Sequence, residues 1–183
     1  MLKKSHIAFS HAVISGSVLV SNYPIKAALP LFVGAHFGAF APDLDGGDTY
    51  DSELTRLLGK LNFLQYIPHR TYTHTLWIVA LLVLLFYQMP QIGANDYLIR
   101  NVILGFTVSY ALHLILDNFS KQGVNWFFPF GNYRYNPKFK SYQKKRKYHW
   151  YYYRVNGNFE LWFRQLCRLV IAINFYLLYL QWF

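Results

Sequence analysis

Cysteine is almost missing from this chain. Cys167 stands alone among 183 residues, so no intramolecular disulfide can form. A lone thiol says nothing about compartment, and Cys167 reads as a small core or lipid-facing residue. Acids are also scarce: eight Asp and Glu stand against eighteen Lys and Arg, for a formal net charge of +10. Charged residues make up only 14% of the chain, against about 25% in soluble domains. Apolar residues fill the gap, at 54% hydrophobic and 20% aromatic. A soluble chain this short would struggle to hide so much apolar surface. Internal repeats and low-complexity linkers are absent, and the length fits one domain. A basic, aromatic-rich chain can bind nucleic acid or sit in a membrane with a basic cytoplasmic face. The uninterrupted apolar runs favour the membrane. The N-terminal Met1-Leu2-Lys3-Lys4 precedes a mildly apolar run, as in a signal peptide. His6 and His11 interrupt that run and no convincing cleavage site follows, so it reads as a retained first helix.

The densest chemistry is His69-Arg70-Thr71-Tyr72-Thr73-His74-Thr75. Two imidazoles and a guanidinium precede an uncharged apolar run, Leu76 to Tyr87. A helix starting near Thr73 carries His74 in its first turn, with His69 and Arg70 just outside it at the Pro68 turn.

The apolar periodicity predicts five helices: about Ser5 to Val20, Ile25 to Ala41, Thr73 to Gln88, Tyr97 to Phe119, and Leu166 to the end. Asn22-Tyr23-Pro24 and Pro42 punctuate the first two. The second is rich in small residues (Gly34, Ala35, Gly38, Ala39), which let backbones approach closely in a membrane. Residues 43–68 form an acidic loop, with a short amphipathic helix from Ser52 to Phe63. The first three helices are short for the roughly 20 residues of a full span; the last two are better candidates. The expected fold is an all-α, multi-helix integral membrane bundle of four to five spans. Residues 1–130 form its core, 131–165 a basic aromatic cytoplasmic segment, and 166–183 a C-terminal membrane helix.

Basic residues set the orientation. Most lie between the fourth and fifth helices, and Lys3 and Lys4 precede the first. With five spans, the N-terminus, the 42–72 loop and the 120–165 segment share the cytoplasmic side. That topology brings four helix ends together. His6 starts the first helix, Asp43 and Asp45 end the second, His69 and His74 start the third, and His113 and Asp117 end the fourth. His113 and Asp117 are four apart and share a helical face. Imidazoles with carboxylates suit zinc, manganese or iron. Seven such groups exceed one tetrahedral shell, so they make either a two-metal site or one metal with supporting partners. Arg70 keeps its charge and can clamp a phosphate or developing oxyanion. Asp45 is a candidate general base, and His69 a ligand or proton shuttle. Hydrolysis of a phosphate ester follows as an expectation.

At these residues the chain resembles a known family. Ser5-His6-Ile7-Ala8-Phe9, Pro42-Asp43-Leu44-Asp45, His69-Arg70-x-x-Thr73-His74-Thr75 and His113-x-x-x-Asp117 look like the signature of membrane-bound metal-dependent hydrolases of the YdjM type. The likeness runs from about Ser5 to Phe130. No single motif is specific, but four in order and spacing are. The family looks distantly similar to zinc-dependent phospholipases C and single-strand nucleases. The resemblance implies a bacterial inner-membrane hydrolase holding one or two divalent ions, zinc foremost, and acting on phosphomonoester or phosphodiester substrates. Family members commonly carry Gly after His-Arg, where this chain has Thr71, so the turn is expected to differ.

Other titratable groups read more blandly. His11 and His36 lie deeper in their helices and suit packing or support. His149 sits among aromatics; Asp48, Asp51 and Glu53 are loop charges. The basic segment, Lys138 to Arg154, interleaves Lys and Arg with Tyr142, Tyr148, Trp150, Tyr151, Tyr152 and Tyr153. That pattern can bind nucleic acid by phosphate contact and stacking, or lie on anionic lipid headgroups. Joining two membrane helices favours lipid. Two rival functions remain: transport or sensing of a divalent metal, which calls for ligands at mid-membrane depth, and tethering of nucleic acid through 138–154.

Overall fold

The computed structural model describes residues 2–45, 67–68, 70–90, 96–120, 123–131, 133–136, 141–143 and 153–183. Among them are five α-helices: α1 (Lys3–Val20), α2 (Ile25–Gly38), α3 (Leu76–Gln88), α4 (Tyr97–Asn118) and α5 (Asn158–Trp182). Two 3-10 turns, Ala41–Leu44 and Tyr72–His74, follow α2 and precede α3. The architecture is helical, with one small addition. Strands β1 (Arg134–Asn136) and β2 (Ser141–Gln143) pair antiparallel, Tyr135 opposite Tyr142. The proposed Ser52–Phe63 helix and most of the basic segment lie outside the described residues.

Two boundaries differ from the sequence reading. His74 sits in the 3-10 turn before α3, because Thr75 adopts extended backbone as the N-cap residue and its hydroxyl donates to the Tyr72 carbonyl at 2.9 Å. The last helix begins at Asn158, well before Leu166. Its first turn is paid for by Glu160, a buried acid that periodicity alone assigns to a loop. Glu160 accepts the backbone N–H of Leu2 at 2.5 Å and of Asn156 at 2.6 Å, and so ties the start of α1 to the start of α5.

The tightest pairing is α2 on α4. A Cβ on Gly34 would overlap the Val102 carbonyl, and one on Gly38 the Phe106 carbonyl. From the other side, a Cβ on Gly105 would overlap the Leu31 carbonyl. Absent side chains therefore let the two backbones touch, as in close-packed membrane helices. The second main pairing is α1 on α5. Ile14, Val18, Ala28, Leu31, Ala35 and Leu178 form the main buried apolar cluster. By contrast α3 has no buried residue; Leu81 and Leu84 are more than half exposed.

Among the described residues two helices, α4 and α5, are long and apolar enough to cross a membrane, while α2 and α3 are apolar but shorter. The exposed apolar faces of α3 and α5 suit lipid better than water.

Candidate metal centre

Chain direction brings the C-terminal end of α2, the N-terminal end of α3 and the C-terminal end of α4 to one place. Because α2 and α4 touch through glycines, the Ala39 carbonyl reaches His113. Nδ1 of His113 lies 2.7 Å from it. A carbonyl can only accept, so the proton sits on Nδ1 and the Nε2 lone pair points inward. Nε2 lies 3.5 Å from Asp43 Oδ1 and 3.8 Å from Asp117 Oδ2. His74 Nε2 faces the same two oxygens at 3.6 and 3.8 Å. One donor atom from each of Asp43, His74, His113 and Asp117 lies within 4.8 Å of the others. His74, His113 and Asp117 are fully buried; Asp43 keeps 16% of its side chain exposed, the opening to the outside.

These residues fit a metal ion. Four donors around an ion with bonds near 2.1 Å lie about 3.4 Å apart in a tetrahedron. The observed nitrogen-to-oxygen separations exceed that by a few tenths of an ångström, which side-chain rotation can close. The charge agrees. Asp43, Asp45 and Asp117 bring three negative charges and Arg70 one positive, leaving a balance of two for a divalent cation among neutral imidazoles.

The protonation of the flanking groups points the same way. Burial disfavours the Asp43 carboxylate, but His113 and His74 beside it outweigh that and hold its pKa well below the usual range. Burial likewise pushes the His74 imidazole down. The carboxylates of Asp43 and Asp45 outweigh it and raise the pKa to about 9. Without a metal, a proton fills part of the same electrostatic demand.

His6 is fully buried, with its ring stacked on His113 at 3.7 Å between centroids. Its Nε2 is 3.3 Å from Asp117 Oδ1. It touches the four-residue group from the side and is not one of the four. Asp45 stands behind His74. Its Oδ2 is 3.6 Å from His74 Nδ1 and accepts the Thr73 hydroxyl, which is itself 3.0 Å from that nitrogen. This is the arrangement that orients a ligating histidine. Arg70 turns inward. It pairs with Asp117 Oδ2 at 2.5 Å and donates to Ser120 Oγ at 2.8 Å and the Gly123 carbonyl at 3.2 Å. At 4% exposure these contacts are those of an internal counter-ion, not of a clamp held out to substrate. His69, with Asp48, Asp51, Glu53 and His149, lies outside the described residues. His11 and His36 meet edge-on with ring centroids 5.7 Å apart, outside the four-residue group.

The Thr71 turn has a local explanation. The left-handed residue is Arg70 itself, at φ +60°, while Thr71 has φ −107° and needs no glycine. Its buried hydroxyl donates to the Pro68 carbonyl. The segment is pinned further by Tyr110, whose hydroxyl donates to the Thr73 carbonyl at 2.5 Å, and by Leu76 N–H to the Trp126 carbonyl at 2.9 Å. The roles of Thr73, Tyr110, Ser120 and the Ala39 carbonyl were not assigned by motif reasoning. Thr73 alone carried a signal, as a hydroxyl adjacent to a ligand histidine.

Fold and site together define a helical protein with candidate membrane-crossing helices and a buried cluster of two Asp and two His able to hold a metal ion. The chain belongs to the YdjM inner membrane protein family, whose model matches residues 1–183. The match therefore extends past Phe130, through the basic segment and α5. No curated protein and no solved structure matches the chain.

Proposed function

We propose that this chain is a multi-pass inner-membrane hydrolase that uses a divalent ion to cleave a phosphate ester or phosphodiester, with a lipid among its substrates. Zinc suits the donor set best, and manganese or iron are the alternatives. The active end faces the cytoplasm in this reading, supported by the basic residues flanking the helices. The four converging donors of Asp43, His74, His113 and Asp117 carry the proposal. When bound there, a divalent ion supplies Lewis acidity and a water nucleophile at neutral pH.

The chain's own residues do the rest. Asp45 and Thr73 hold the His74 ring, and the Ala39 carbonyl holds that of His113. Arg70 fixes Asp117 and offsets its charge. His6 lies in contact with Asp117 and His113, placed to take or return a proton at Nε2. Asp43 is the exposed edge at which substrate arrives. Flanking His74 in the chain stand exposed aromatics: Tyr72 and Trp77, with Phe127 and Phe130 edge-on to the Trp77 ring. Such a shelf accommodates the apolar part of an amphipathic phosphate ester.

The test is elemental analysis of the purified protein, then a screen of anionic phosphate esters with and without chelator. Stoichiometric metal and chelator-sensitive phosphate release are expected. Metal flux into proteoliposomes without any turnover would replace this reading with transport.

A further inference from the structure

We propose that the end of the bundle opposite the metal centre holds a second site, which binds an anionic phosphate group through Arg100. Its expected occupant is the headgroup of an anionic phospholipid. Arg100 and Asp117 lie near opposite ends of α4, about 26 Å apart at 1.5 Å per residue. That is close to the roughly 30 Å thickness of a bilayer's hydrocarbon layer. An arginine there lies at headgroup level.

The site is a cavity of about 250 Å³ lined by Tyr23, Phe86, Tyr97, Arg100, Asn101 and Leu104. Three of these residues build its polar wall. Tyr23 donates its hydroxyl to Asn101 Oδ1 at 2.5 Å, and Asn101 Nδ2 donates to the Tyr97 carbonyl at 2.8 Å. The guanidinium of Arg100 is left to the cavity. It lies 5.6 Å from the Phe86 ring centroid, and its buried Nε has no hydrogen-bond partner among the described residues.

Among the described residues no carboxylate answers it. Of the described acids, Asp43, Asp45 and Asp117 belong to the metal centre, and Glu160 holds the Leu2 and Asn156 amides. The remaining acid, Asp96, is one turn from Arg100. Its Oδ1 caps α4 by accepting Leu98 N–H at 2.7 Å and Ile99 N–H at 3.4 Å. A partly buried guanidinium facing a cavity, without a counter-ion among the described residues, calls for an external anion, and its planar fork matches phosphate oxygens. Phe86 and Leu104 give the same cavity an apolar wall for the carbons next to the phosphate. The volume suits a headgroup fragment rather than a whole lipid or a drug-sized molecule.

The test uses the full chain in detergent with chelator present, so that phosphate cannot act through a metal. Native mass spectrometry counts adducts with phosphatidylglycerol and with phosphatidylcholine; thermal melts are run with inorganic phosphate. Arg100→Gln should lower phosphatidylglycerol adducts at least tenfold and leave phosphatidylcholine adducts unchanged. Leu104→Phe narrows the cavity, keeps the cation, and should act in the same direction. Should Arg100→Gln fail to fold, Leu104→Phe decides the matter alone. Stabilisation by inorganic phosphate that Arg100→Gln abolishes, without a lipid effect, would make the occupant a small phosphate. Equal lipid and phosphate binding by wild type and both variants would overturn the site and leave Arg100 an ordinary interfacial anchor.

Discussion

Replacing His74 by alanine removes one of four converging donors. Structural zinc sites release about 10–16 kcal/mol on binding. Shared equally, one donor accounts for about 2.5–4 kcal/mol, or roughly 70- to 1,000-fold in affinity. The same substitution strips Asp43 and Asp45 of the imidazole that faces both, at 3.6 Å each, so stability also falls. A companion variant separates the two effects. Thr73→Val keeps the ring but deletes the hydroxyl between Asp45 and His74 Nδ1. Loss of such an orienting partner costs about 10- to 100-fold in metal affinity. Competition against a calibrated chelator should therefore rank wild type, then Thr73→Val, then His74→Ala, with all three inserted in the membrane fraction. Unchanged affinity in His74→Ala, or a Thr73→Val loss as large as that of His74→Ala, would refute the reasoning.

Three further outcomes are expected. Gly38→Val places side-chain carbons against the Phe106 backbone; forcing that contact costs about 1–3 kcal/mol or more. It should lower the melting temperature and the metal content together, because it also moves Ala39 away from His113. In chelated protein the folded His74, with pKa about 9 against an ordinary 6.5, binds more protons than the unfolded chain between those values. Its contribution is thus complete below pH 6.5 and is lost as pH rises towards 9. Melts across that window should fall with pH, and a flat profile would count against the proton-filled site. Glu160→Ala leaves the Leu2 and Asn156 amides without their acceptor. At about 1–3 kcal/mol per buried unsatisfied group, it should lower the melting temperature and increase hydrogen exchange at the start of α1.

Much of the fold was legible because apolar runs and turn residues are local signals. The bodies of α1, α2 and α4 fall within a few residues of where periodicity places them. The start of α5 was not legible. Its first turn is stabilised by Glu160 reaching Leu2, a contact between opposite ends of the chain. The capacity of the site for a metal was legible too: His74, His113, Asp43 and Asp117 were recognisable by type and by their positions at helix ends. Which residues face the shared centre, and which stand behind them, was not. That division depends on glycine-mediated contact between α2 and α4, on a left-handed Arg70 that turns its guanidinium onto Asp117, and on the Thr73 hydroxyl seated between Asp45 and His74. Sequence alone determined the chemical inventory and the apolar spans, since both are properties of residues and their spacing. Tertiary structure decided the assignment of roles, since donor directions are set by backbone approach and hydrogen bonds between segments far apart in the chain.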